Sequence, residues 1–318
     1  MIVLVTTRAH RYTHYKVAAG LPGFRLIPYP VLAARRSLPR AAYIFSDFDR
    51  LSFWQLELAA HLYRQLRDAG CPVLNDPARA LQRVALLRRL HACGINSFAV
   101  WPATEWRAVD HFPVFLRTAA AHRGNLTDLI EGPDDLDRAI EDLVAAGQPL
   151  ADLMIAEYRA EPLDGGVYRK LSVYRVGDRY VATPSVHERH WTVKYGEQGV
   201  AGEEAYARDL ETVRANPHGA VIARAFEEAG IDYGRADFGI ADGRPEIYEI
   251  NTNPMIAPST RHPFPDRLEA FRLSHEAFLA AIAALDPGVG GRVRVERPAW
   301  LAGQRRLARL LPGYLWTP

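Results

Sequence analysis

With 318 residues, 48% apolar and 24% charged, the chain has the composition of a soluble globular protein large enough for two or three packed subdomains. Its 39 basic and 37 acidic residues leave a formal charge of +2, which makes no electrostatic case for a nucleic-acid partner. No apolar run approaches the roughly 18 uncharged residues of a membrane span, and residues 1–7 carry no basic stretch ahead of their apolar run, so they read as a strand rather than a signal peptide.

Cys71 and Cys93 lack metal spacing, which argues against a disulfide framework and for a reducing cytoplasm. Residues 2–6 and 42–46 read as buried strands, separated by a Pro- and Arg-rich connection over residues 22–39 with little periodicity. Ser52 is placed to cap a helix whose Leu56, Ala59, Ala60, Leu62 and Leu66 share one face, and residues 71–74 form the next short strand. This alternation predicts a small parallel α/β unit over residues 1–75. Asp47 and Asp49 stand at a strand's carboxyl end, where a capping or loop role is favoured over ligand binding.

A helix is expected from Asn75-Asp-Pro, capped by Asp76 and closed at Gly94, with Arg83, Arg88 and Arg89 on its solvated face. Phe112-Pro-Val-Phe-Leu-Arg117 reads as a strand ending in a cation. The small-residue loop of residues 119–125 follows, whose backbone N–H groups and Arg123 are suited to lie over phosphates. Pro133 opens a helix to about residue 146, and residues 152–158 form a strand. A hairpin then joins residues 168–175 to 179–183 through Gly177-Asp178, carrying Lys170, one of three lysines in the chain. Residues 203–230 are helical in pattern, with Leu210, Val213, Val221, Ile222, Ala225 and Phe226 as buried positions, and a last helix runs from Arg267 to about Leu285. The tail after Gly291 holds five arginines up to Arg306 together with Trp300, Tyr314 and Trp316; a clamp or a partner surface suits it.

The chemistry concentrates in a second hairpin. Apolar runs over residues 236–241 and 247–250 flank Asp242-Gly243, the strongest turn signal in the sequence. Alternation on the outgoing strand puts Glu249 and Asn251 on one face, and the incoming strand brings Asp237 to it. Two carboxylates and an amide make an oxygen-only set of the kind Mg²⁺ prefers, completed by phosphate oxygens. For either carboxylate alone a solvated hairpin face is the alternative, and the apolar neighbours of Glu249-Ile-Asn argue against it.

Asp237 followed by Glu249-Ile-Asn251, after a strand ending in Arg117 and a strand Ile155-Ala-Glu-Tyr-Arg159, resembles the ATP-grasp superfamily over roughly residues 75–285. The resemblance implies an α/β (mixed α+β) ATP-grasp fold behind a short N-terminal α/β domain. Its parts would be residues 1–75, a first subdomain at 76–160, a second with the metal site at 161–285, and a tail at 286–318. It implies ATP as cosubstrate and one or two Mg²⁺ held by Asp237, Glu249 and Asn251. Arg83 and Arg117 fall where the family has phosphate-binding lysines, and Arg keeps the charge with a different geometry. Glu157 and Tyr158 would flank adenine, either Glu161 or Asp164 would bind the ribose, and Lys170 would reach a phosphate or acyl-phosphate, which makes Arg117 and Lys170 the catalytic pair. The loop of residues 119–125 would cover the phosphates, although it has one glycine where the family has several.

The activity so implied is an ADP-forming ligase joining a carboxylate, of an amino acid or peptide-like molecule, to an amine through an acyl-phosphate. His187, Arg189, His190, Trp191 and Lys194 would line the acceptor side. A phosphotransferase and a non-catalytic ATP-binding protein are the alternatives. Small-molecule or peptide acids and amines are the expected partners, with no nucleic acid and no membrane, and a homodimer is the anticipated assembly.

Overall fold

Ile2–Thr6 (β1) is five residues without a charge, and all five are buried, as a central parallel strand requires. The structure, a computed structural model, describes residues 1–120 and 124–300. After β1 come α1 (Tyr15–Gly20), β2 (Phe24–Pro28), α2 (Tyr29–Ala34), β3 (Ser37–Pro39), β4 (Ala42–Phe45), α3 (Phe53–Asp68) and β5 (Val73–Leu74). The sheet order β2-β1-β4-β5 is parallel throughout. Residues 22–39, expected to be an irregular connection, therefore hold two strands and a helix. Each spans six residues or fewer, too short to show a period. Ser52 caps α3 in a full capping box: its hydroxyl accepts from Gln55 N at 3.3 Å, and Gln55 Oε1 accepts from Ser52 N at 3.0 Å.

Next follow α4 (Arg83–Ala92), β6 (Val100–Pro102), β7 (Val114–Thr118), α5 (Pro133–Ala145) and β8 (Leu153–Glu157). Asp76 caps only a 3₁₀ turn, Pro77–Arg79, and α4 starts afresh at Arg83. Arg83, the first residue of α4, is 5% exposed and bonded to Glu249, not on a solvated face. Strands in the order β6-β8-β7 form an antiparallel sheet, backed by Leu136 and Ile140 of α5.

The remaining elements are β9 (Tyr168–Val176), β10 (Arg179–Glu188), α6 (Glu203–Ala215), α7 (Gly219–Ala229), β11 (Tyr233–Ala241), β12 (Arg244–Asn251), α8 (Pro265–Ala283) and β13 (Arg292–Arg294). The single helix expected over residues 203–230 is broken, because Asn216 takes φ +44° ahead of Pro217, which cannot continue an α-helical ladder. An antiparallel sheet of order β10-β9-β11-β12 faces the three-stranded one. The expected tail begins by returning to the first unit: β13 pairs with β3 in a separate two-stranded sheet, and Val293 and Val295 join the core around Tyr43 and Phe45. The rest of the tail, residues 301–318 with Arg305, Arg306, Tyr314 and Trp316, lies outside the described residues. No helix among the described residues is long and apolar enough to cross a membrane.

The other face of the first sheet packs Leu4 and Ile44 against Tyr233 of β11 and against Phe278 and Ile282 of α8. His14 sits fully buried in this seam, 2.5 Å from Tyr233 Oη and 2.7 Å from Thr13 Oγ1. Burial pushes its imidazole from 6.5 down to about 3. The unfolded chain therefore takes up a proton on His14 near pH 6.5 and the folded chain does not. Stability from this group is complete above 6.5 and falls by about 1.4 kcal/mol per pH unit below it, down to about pH 3. Urea unfolding of wild type and His14→Gln between pH 5 and pH 7 checks this, since the variant lacks that component of the slope.

Candidate functional site

The turn joining β11 to β12 has φ +48° at Asp242 and +70° at Gly243, the double left-handed geometry of a tight hairpin. From it the ladder runs regularly from Ala241↔Arg244 to Phe238↔Ile247. Continued without a break, it would set Asp237 opposite Tyr248 and send Glu249 to the other face. Instead the register shifts there, leaving Tyr248 as an extra residue and pairing Asp237 with Glu249. A β-bulge thus puts the two carboxylates on one side of the sheet. The Tyr248 ring lies over Gly239, where a Cβ would overlap it, and its hydroxyl donates to Arg159 O at 3.2 Å.

Asp237 is 3% exposed and fully engaged. Arg235, two residues earlier on the same face, donates Nε to Oδ1 at 2.6 Å and Nη2 to Oδ2 at 2.9 Å. Ser172 Oγ, from the register-paired position on β9, donates to Oδ1 at 2.9 Å, and Lys170 Nζ lies 3.9 Å from Oδ2. Burial alone would lower the Arg235 pKa, but the charges and hydrogen bonds of Asp237 and Tyr174 together outweigh it and hold the guanidinium above its ordinary range.

Glu249 receives Arg83 Nη2 at 3.0 Å and has Arg117 Nη2 at 3.6 Å. Arg83 also donates to the Thr118 and Ala119 carbonyls at 3.1 and 3.2 Å, which ties α4 to the end of β7. Burial and the adjacent Arg83 push Arg117 down to about 10, against the pull of Glu249. Four cations thus face two carboxylates, with Asp49 also acting on Arg117, and the remaining positive excess suits a polyanion. Arg235 escaped the sequence reading, although period-2 alternation from Asp237 points straight to it.

Asn251 lies opposite Arg235, and its Oδ1 accepts from Asn253 N at 2.8 Å. With Arg83, Asp49 and Glu249 it lines a separate small recess of about 20 Å³. No group of three His, Cys, Asp or Glu side chains is gathered among the described residues. The donor set of Asp237, Glu249 and the Asn251 amide is nevertheless all oxygen, and in chemistry it fits Mg²⁺. Loading would require Glu249 to exchange its arginine contacts for the ion.

The two antiparallel sheets enclose a cleft of about 190 Å³, with Arg117, Lys170, Asp237 and Glu249 among its lining residues. Leu87, Phe98, Met154 and Ile240 give it apolar walls. The Trp191 ring stands 5.0 Å from Phe115 and meets Tyr158 edge-on at 5.5 Å. Glu188 holds the turn carrying Trp191 by accepting from the backbone N–H groups of Lys194, Tyr195 and Gly196 at 2.7–2.8 Å.

Glu157 and Tyr158 both line the cleft. The Glu157 carboxylate accepts from Ala99 N at 2.9 Å, and the Tyr158 hydroxyl donates to Tyr168 at 3.2 Å. Glu161 lines it as well and accepts from Asp242 N at 2.9 Å, whereas the exposed Asp164 is not among the lining residues. Of the loop expected to cover phosphates, Gly124 and Asn125 line the cleft, and Asn125 donates to Thr192 Oγ1 at 2.8 Å. Arg123 lies outside the described residues. Trp191 and Lys194 line the cleft; Arg189 and His190 do not. His187 is turned to the opposite face against Tyr206, with its imidazole pushed by burial down to about 4.

No family model matches the chain, and no curated protein matches it in sequence. Solved structures do match in fold. The D-alanine–D-alanine ligase of Bacillus anthracis aligns at 11% identity and TM-score 0.52, over 90% of this chain and 97% of its own. The same enzyme from Coxiella burnetii aligns at 13% identity and TM-score 0.52, over 90% and 94%. A RimK domain ATP-grasp protein of Sphaerobacter thermophilus DSM 20745 is a looser match, at 16% identity and TM-score 0.49, over 91% and 100%. This chain shares the fold of these D-alanine–D-alanine ligases, a mixed α/β ATP-grasp fold.

Proposed function

We propose that the chain is an ADP-forming ligase that uses ATP to join a carboxylic acid to an amine. The observation that carries this reading is the bulged hairpin, which faces the buried Asp237 and the half-buried Glu249 with four cations at the end of an apolar cleft. The adenine ring would lie between the apolar walls and Trp191, with the backbone of β8 and residues 158–160 along its edge. Glu161 is the better placed of the two ribose acids, since it lines the cleft and Asp164 does not. Arg83, Arg117 and Lys170 would hold phosphate oxygens and neutralise charge that grows in the transition state. Magnesium, when held by Asp237, Glu249 and Asn251, would supply further neutralisation of the phosphates.

The chemistry balances in two displacements. A carboxylate oxygen attacks the γ-phosphorus and ADP leaves, giving an acyl-phosphate. The amine nitrogen then attacks the acyl carbon, phosphate leaves, and the nitrogen gives up a proton. The protein contributes position and charge, with no covalent intermediate of its own.

One observation favours a second reading, a nucleotide-binding protein without turnover: Arg83 is 5% exposed and locked between Glu249 and two carbonyls. Incubating the protein with MgATP and pooled acids and amines separates the two. A ligase releases ADP and phosphate together with a condensed product seen by mass spectrometry. ADP with a stable phosphorylated product would make it a phosphotransferase, and bound but unconsumed ATP would favour the second reading.

Trp191→Ala is expected to weaken ATP binding about 5- to 10-fold, the worth of one stacked ring contact. Titration calorimetry checks this, and unchanged affinity would remove Trp191 from the base site.

A further inference from the structure

A second cavity of about 220 Å³ lies beside the nucleotide cleft, between the β9–β11 face, residues 255–258 and α8. Lys170 and Lys194 line both, so the two spaces meet at the cationic end of the cleft. Its inner surface is aromatic: the Tyr174 and Phe278 rings stand 4.8 Å apart, and the Arg267 guanidinium lies 4.6 Å from the centre of the Phe271 ring. Ser274 and His275 of α8 supply polar groups beside these rings.

The charges around this chamber are one-sided. Lys170, Lys194, Arg235 and Arg267 line it, and no aspartate or glutamate does among the described residues. Of the carboxylates next to these residues, Asp237 has both oxygens taken by Arg235 and lies 3.9 Å from Lys170, and Glu276, beside His275, accepts from Arg272 at 2.7 Å. Asp209 meets Arg267 Nη1 at 2.5 Å while it also accepts from Ser185 N.

Resting on the ligase reading above, we propose that this chamber holds the acid substrate, and that this acid has an apolar, ring-sized body and no free ammonium group. Its carboxylate would lie at the Lys170 and Arg235 end, the side open to the nucleotide cleft. Its body would lie along Tyr174, Phe271 and Phe278, where burial of apolar surface supplies the affinity. An α-ammonium beside that carboxylate would be taken out of water among basic side chains, two of them already paired to Asp237 and Asp209, with no lining carboxylate left to receive it. A simple amino acid is thereby disfavoured as the acid component, and a des-amino or N-acylated acid is favoured.

The test is calorimetric titration of the full chain, at pH 7.5 with Mg²⁺ and a non-hydrolysable ATP analogue, by 3-phenylpropanoate and by phenylalanine. The two probes share a ring and a carboxylate and differ in the ammonium group. 3-Phenylpropanoate is expected to bind at least about 10-fold more tightly. His275→Glu, which puts a carboxylate into the chamber, is expected to narrow or reverse that preference while nucleotide binding persists. Equal or tighter binding of phenylalanine, or binding of neither acid, would overturn the chamber assignment, and with nucleotide still bound would leave the ligase reading intact. Loss of nucleotide binding in the wild type would instead remove the ligase reading, and the same titration without nucleotide would still decide the chemistry of the acid.

Discussion

Glu249→Gln is expected to lower ADP formation at least about 100-fold, because a charge placed where transition-state charge must be balanced is worth that much or more. The substitution keeps the shape and an acceptor for Arg83 but removes the negative charge shared by Arg83 and Arg117. The first of these guanidiniums is buried and the second nearly so, which leaves the pair under-compensated. A stability loss of about 1–3 kcal/mol should accompany the loss of turnover. Parallel steady-state assays and urea unfolding separate the two effects, since a folded variant with wild-type turnover would contradict the role given to Glu249. Arg83→Lys serves as the companion: it keeps the charge, gives up the fork reaching Thr118 and Ala119, and should cost stability before it costs nucleotide binding.

The largest stability effect is expected at Asn75, a residue remote from the chemistry. Its φ is +62°, and it is fully buried. Nδ2 donates to Phe45 O at 2.9 Å and to Tyr233 O at 2.8 Å, while Oδ1 accepts from Asp232 N at 2.7 Å and Tyr233 N at 2.8 Å. One side chain therefore satisfies backbone groups of the first sheet's last central strand and of the strand that carries Asp237. Alanine strands those groups and also disfavours the left-handed backbone. A loss of at least about 3 kcal/mol follows from the bonds alone. Asn75→Gly isolates them, because glycine accepts the backbone angle at no steric cost. Denaturant unfolding of both variants checks this, and a glycine variant as stable as the wild type would show that the amide bonds contribute nothing.

Both hairpins were legible, because turn residues and short-range alternation are local signals. So was the first parallel unit, apart from α1, β2, α2 and β3, whose brevity hides any period. The side-by-side placement of Glu249 and Asp237 was anticipated for an incomplete reason. A two-residue turn with strict pairing opposes Asp237 to Tyr248, and only the bulge corrects it. That bulge accompanies Tyr248 packing over Gly239 and reaching Arg159, contacts that span up to 89 residues of sequence and leave no local trace. The helix start expected at Asp76 falls seven positions before Arg83, the first residue of α4, and the pairing of Arg83 with Glu249, 166 residues away, leaves no local trace that would mark it as buried. Trp191 enters the cleft through a turn held by Glu188, which no periodicity announces.

Nucleotide binding measured with Mg²⁺ and again in chelator, for wild type and for the Glu249→Ala, Asn251→Ala double variant, tests the central assignment most directly. The wild type is expected to bind ATP at least about 10-fold more tightly with Mg²⁺, and the double variant to lose that difference. Equal affinity in chelator and in Mg²⁺, for both proteins, would contradict a metal–phosphate site at this hairpin.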